Sequence, residues 1–162
     1  LNEITSIYTN INIEKQKIQL KLAVESVLSN LDNIITLRKA KVTNLLTNNL
    51  VIHHNKLYLD NIIMNFVMYI LKNKDLKTIP NIEIKSYLEN NYVVLEIKDI
   101  GNGLNIDRNS DKIFSLFQSP ENDTDINHGF GLFIAKSQIE ALNGKVQVEN
   151  SKNETTFKIY FK

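Results

Sequence analysis

The chain has 162 residues, 43% of them apolar, and a formal net charge of +1. That is one domain's worth of chain, with material for a core but no bulk basic field to attract nucleic acid or a membrane surface. Cysteine is absent, which removes disulfides, thiolate metal sites and thiol nucleophiles and fits a cytosolic domain, and no apolar run is long enough to cross a bilayer as a helix.

Leu1, Ile4 and Ile7 recur at helical spacing, so residues 1–9 read as the tail of a preceding helix, and residues 10–162 as the domain proper. Ile11 to Glu14 reads as an edge strand and Lys17 to Leu20 as the entry to a helix. Apolar residues from Val24 through Ile35 return every three or four positions, predicting one amphipathic helix to about Lys39. Short strands follow at 42–46 and 51–52. Lys56 to Lys74 is a second helix whose buried stripe is Leu59, Ile62, Ile63, Phe66, Val67, Ile70 and Leu71. Two alternating runs, Ile82 to Tyr87 and Tyr92 to Lys98, form a hairpin turning at 89–91. Lys145–Glu149 and Thr155–Phe161 form a last strand pair. Helices and an antiparallel-rich sheet segregate along the chain, which predicts an α/β two-layer sandwich: a mixed, largely antiparallel sheet packed against helices.

Three stretches carry chemistry. Asp99-Ile100-Gly101-Asn102-Gly103 places an acid at a strand end before two glycines, where backbone can approach a flat ligand and the carboxylate can accept from an exocyclic amine. An ordinary turn would use the same residues. Gly129-Phe130-Gly131-Leu132 opens a second pattern of helical periodicity that stops at Asn143-Gly144. Glycines at a helix start expose N–H groups to an anion such as phosphate. Between them, residues 102–128 are polar and long, more than a plain connection needs. Within that stretch Phe114 and Phe117, three apart, suit either a hinge or a satellite of the core.

The order and spacing of these stretches resemble the ATP-binding catalytic domain of sensor histidine kinases, a branch of the superfamily shared with gyrase, a heat-shock chaperone and a mismatch-repair ATPase. The resemblance covers roughly residues 10 to 162. It implies ATP as ligand. Asp99 would hold the adenine amine, with Gly101 and Gly103 beside the base, and Gly129, Gly131 and Leu132 would form the second glycine box. Phe114 and Phe117 would be the phenylalanine box, and 102–128 the lid over the nucleotide. Asn65 matches the first asparagine on the inner helix, and Lys72 matches a phosphate-contacting lysine of some members, or is a solvated helix charge. Asn65 would also be the metal ligand, but Tyr69 stands where a second asparagine would help hold Mg²⁺, and a phenol is a poor ligand for that ion. Asn127, Phe130, Ser119 and Glu154 are further departures from the family pattern.

The implied reaction is transfer of the ATP γ-phosphoryl group to a histidine outside this chain, on dimerisation and phosphoacceptor helices of a parent protein that the 1–9 tail would join. A response regulator would be the downstream partner. No contact with nucleic acid or membrane is implied, and the location is cytoplasmic even for a membrane-anchored parent. The alternative is a degenerate, pseudokinase-like domain with weak or no nucleotide binding that acts through protein contacts. A stand-alone serine kinase of the same fold is a third class, opposed by the 1–9 helical pattern. His53-His54 lacks the acid and proline-containing turn expected after a phosphoacceptor, so no catalytic residue is expected within the chain.

Overall fold

The computed structural model describes residues 13–47, 49–74, 76–101, 113–114 and 127–162, the first four of the last stretch by their backbone alone. The expected 1–9 tail, most of the 102–128 lid, Gly103 and Phe117 lie outside the described residues.

Strand β1 (Gln16–Gln19) leads directly into helix α1 (Leu20–Asn30), and a short helix α2 (Asp32–Leu37) follows. Strands β2 (Lys41–Asn44) and β3 (Val51–His54) precede the long helix α3 (Lys56–Asn73). The hairpin β4 (Asn81–Glu89) and β5 (Tyr92–Ile100) comes next, then α4 (Asn127–Ala141), β6 (Lys145–Ser151) and β7 (Glu154–Phe161). β2, β4, β5, β7 and β6 form one sheet in that order. Its β2–β4 pair is parallel and the other three are antiparallel, so the sheet is mixed and largely antiparallel as expected. β1 and β3 pair antiparallel as a separate ribbon.

Two expectations at the N-terminal end are corrected. Lys17–Gln19 belongs to a strand, not a helix entry, because it pairs with Ile52, Val51 and His53 from far along the chain. The single helix to Lys39 is two helices. At Leu31 the N–H is shared between the carbonyls of Val27 and Leu28, which tightens the last turn and redirects the chain.

The core lies between the sheet and the helix layer. The sheet face contributes Ile82 and Ile84, Leu95 and Ile97, and Phe157, Ile159 and Phe161. Against it α3 sets the buried stripe read from its periodicity, with Phe66 centred 5.1 Å from the ring of Phe157. Local signals set the element ends. The Asn55 side chain caps α3 by accepting from the Tyr58 N–H at 3.1 Å. Asn90 and Asn91 take φ of +46° and +66°, as a two-residue hairpin turn requires. Asn143 at φ +65° ends α4, and the Gly144 N–H returns to the Ile139 carbonyl at 2.9 Å. The consequence for a ligand site is that α3 lies between α1 and α4, while the end of the central strand β5 comes up beneath the end of α3.

Candidate functional site

Along β5, Leu95, Ile97 and Asp99 share the helix-facing side, by the two-residue alternation of a strand. The first two are core residues. The third is an acid whose side chain is 0% exposed. In register, Asp99 lies opposite Ile82 on one side and Thr155 on the other. Thr155 is itself buried and its hydroxyl donates to the Asn150 side chain at 3.0 Å.

A buried carboxylate needs compensation, and here a lysine supplies part of it. Lys74 is the first residue beyond α3, where the backbone leaves helical geometry at ψ 142°. Its Nζ lies 2.5 Å from Asp99 Oδ1, with the lysine side chain only 3% exposed. The Arg38 guanidinium donates to the Lys74 carbonyl at 3.1 Å and ties that backbone to the end of α2. Gly101, just past β5, has φ +118°, a conformation that disfavours any side chain. Its N–H donates to the Asn153 carbonyl at 2.8 Å, joining the strand end to the β6–β7 turn. A Cβ built on Gly101 would lie 3.9 Å from Lys74 Nζ, so the ammonium lies over both the acid and the glycine.

The second cluster forms where α3 meets α4. A Cβ on Gly131 would lie 2.7 Å from Asn65 Oδ1 and 3.3 Å from its Cγ, so only glycine lets the Asn65 amide rest there. Tyr69, one turn after Asn65, is buried and sets its ring edge-on to Phe157 at 6.0 Å. Burial raises its pKa, so the phenol stays neutral. Asn65 therefore supplies one neutral amide oxygen, and Tyr69 presents a neutral phenol packed on the sheet. A hard divalent cation takes about six oxygen ligands. These two side chains do not amount to a protein-built metal shell.

Of the other residues singled out in the sequence, Lys72 is exposed on the last turn of α3 and Leu132 is wholly buried in the core. Phe114 is buried, edge-on to Phe66 at 6.3 Å, with Lys136 Nζ 5.5 Å from its ring centre. Gly129 lies within α4. Glu154 opens β7 half-exposed and pairs with Lys98 at 3.5 Å. The structure thus joins Asp99 to Gly101 and Asn65 to Gly131. Sequence reasoning missed Lys74, which reads as one more charge at a helix end. Only the fold brings it to Asp99.

Residues 54–162 match the model of the histidine kinase-, DNA gyrase B- and HSP90-like ATPase family. No curated protein matches at the sequence level. Among solved structures, the Acinetobacter baumannii histidine kinase AdeS superposes with a TM-score of 0.73 at 17% identity, over 99% of this chain and 74% of that one. The nucleotide-free catalytic domain of histidine kinase ThkA gives 0.78 at 19% identity, over 91% and 95%. The mycobacterial sensor histidine kinase MprB gives 0.72 at 15% identity, over 91% and 96%. At such identities these likenesses speak for the fold, while the family match spans more than half of the chain and includes Asp99, Gly101, Asn65 and Gly131. The chain belongs to the histidine kinase-, DNA gyrase B- and HSP90-like ATPase family.

Proposed function

We propose that this chain is the ATP-binding catalytic domain of a two-component sensor histidine kinase. It would position ATP for phosphoryl transfer to a histidine outside the sequence. The observation that carries this reading is the acid at the end of the central strand, Asp99, set beside Gly101 within a family-matched frame. Phosphoryl transfer requires in-line geometry and charge neutralisation more than a protein nucleophile, so a domain without a catalytic side chain can do this work. Asp99 would accept from the adenine amine. Gly101 would let backbone lie against the base. Asn65 and Gly131, at the α3–α4 junction, would border the phosphate end, and Lys72, exposed on the last turn of α3, would contribute charge. Mg²⁺, where used, would draw its remaining oxygens from phosphate and water.

The partners of this reading are the dimerisation and phosphoacceptor helices of the parent protein and a response regulator. The location is the cytoplasm, where ATP is available. Among the described residues no helix is long and apolar enough to cross a membrane. His54 is buried against Phe161 and so is not presented as an acceptor, while His53 is exposed on a short paired strand. The family match favours this reading over a degenerate, non-binding domain.

Calorimetric titration with ATP, with and without Mg²⁺, tests it. Saturable binding that weakens in Asp99→Asn by roughly 1–3 kcal/mol is expected, since the variant swaps an acceptor oxygen for a donor. Unchanged affinity in a folded Asp99→Asn protein would remove Asp99 from the site, and absence of binding in every form would end the reading.

A further inference from the structure

The acid that the proposed function assigns to the base amine already holds a side chain of this chain. Lys74 Nζ is 2.5 Å from Asp99 Oδ1, both side chains are withdrawn from water, and the same ammonium stands 3.9 Å from where a Cβ on Gly101 would lie. A base lying against Gly101 with its amine on Asp99 would need the space and the oxygen that Lys74 uses. We propose that Lys74 is a built-in competitor for the base subsite: its ammonium plugs the pocket, and a nucleotide binds only as the lysine swings out. This rests on the nucleotide reading of the site.

Three features make the plug movable. The backbone of Lys74 is held by Arg38, so the exchange involves only the four-carbon stem. Lys74 lies beyond α3 in extended geometry, so its departure breaks no helical turn. The net worth of the intact pair is small as well. A buried ion pair gains little net stability because both charges surrender their hydration. The departing ammonium regains water while the carboxylate exchanges it for an amine donor. The apparent affinity is then the intrinsic affinity reduced by the fraction of molecules with the lysine already out. Lys74 would thus set how tightly this domain binds nucleotide, without touching the phosphates.

The test reads Lys74 in the unaltered protein. Amine-reactive labelling followed by peptide mapping reports the reactivity of each lysine, with exposed Lys72 and Lys77 as internal references. Without nucleotide Lys74 is expected to be strongly protected. On saturation with ATP, followed by calorimetry on the same sample, its labelling should rise toward that of the references. In parallel, Lys74→Met, which keeps the length of the stem and removes the charge, should bind ATP roughly tenfold or more tightly, as expected when the competent form is a minor one. Circular dichroism establishes that the variant is folded, and Lys74→Gln serves if it is not. Saturable ATP binding with Lys74 still protected would overturn the plug and leave the nucleotide reading standing. No binding by the unaltered protein together with binding by Lys74→Met or Lys74→Gln would support the plug in its strongest form. No binding by any of them would remove both.

Discussion

The two ends of the proposed site solve opposite problems. At the base end a full negative charge, Asp99, is buried at the tip of β5 and faces the positive charge of Lys74. At the phosphate end the groups brought together are neutral: the Asn65 amide against the bare backbone of Gly131, with the Tyr69 phenol turned into the core. The base end is closed by electrostatics and should open by exchange of one cation for another donor. The phosphate end is shaped by fit, and should respond to volume more than to charge. A buried charge carries large penalties when its partner is removed, whereas an amide on a glycine surface can shift by a fraction of an ångström. The comparison therefore predicts a ranking of mutational effects.

The largest effect should come from breaking the ion pair on one side only. Asp99→Leu leaves the Lys74 ammonium without its carboxylate, at an expected cost of about 3–5 kcal/mol in urea unfolding. Replacing both, as Asp99→Leu with Lys74→Met, should recover most of that loss, because an apolar pair of similar volume avoids both desolvation penalties. A double variant no more stable than the worse single one would mean that the pair is not the electrostatic unit of the base end.

Next in size is Tyr69→Asn. It restores the side-chain type that the family resemblance places there, but it removes a buried ring from against Phe157 and leaves an amide in its place. We expect a loss of about 3 kcal/mol in stability, in the range of large-to-small core changes. ATP binding by the unaltered domain should depend only weakly on Mg²⁺. Strong Mg²⁺ tightening that Tyr69→Asn does not change would show that the metal shell is completed without this position.

Gly131→Ala should do less to the fold. The new methyl would meet the end of a flexible side chain, Asn65 Oδ1, at 2.7 Å, and alanine favours a helix over glycine by about 1 kcal/mol. Stability should change by no more than about 1 kcal/mol in either direction, while ATP affinity falls as the Asn65 amide is pushed aside. Equal affinity in this variant would separate Asn65 from the phosphate end.

What this sequence makes legible is local. The stripe of α3 and the alternation of β4 and β5 could be read because each is a local period answering to one buried face. Asp99 and Gly101 could be read because a charge and a positive-φ glycine at a strand end are exceptions to the local rule. The break at Leu31 was invisible, since Leu28, Leu31, Ile34 and Ile35 continue the apolar spacing straight through it. Strand β1 was misread because its partner, β3, lies beyond two helices and another strand. Lys74 escaped for the same reason. Nothing near it in sequence marks it as buried, and its role comes from a contact that only the packed sheet and helix create.

The smallest effect lies away from both ends, at His54 on β3. Its ring is buried edge-on to Phe161, 5.2 Å between centres, and its Nδ1 lies 3.2 Å from the Asn55 carbonyl. Burial lowers its pKa below the usual histidine value, outweighing the opposing pull of that carbonyl, and Lys15 pushes in the same direction as burial. The sign follows from linkage. Below about pH 6.5 the unfolded chain protonates this histidine while the folded protein resists, so the unfolded state binds more protons. The stability contribution of His54 is therefore complete above that pH. It declines as pH falls toward the lower folded-state value and levels off beneath it. Urea midpoints measured between pH 7.5 and 5 should fall more in the unaltered protein than in His54→Leu, which has no proton to bind at this position. Parallel pH profiles for the two would show that the buried imidazole is not the group responsible.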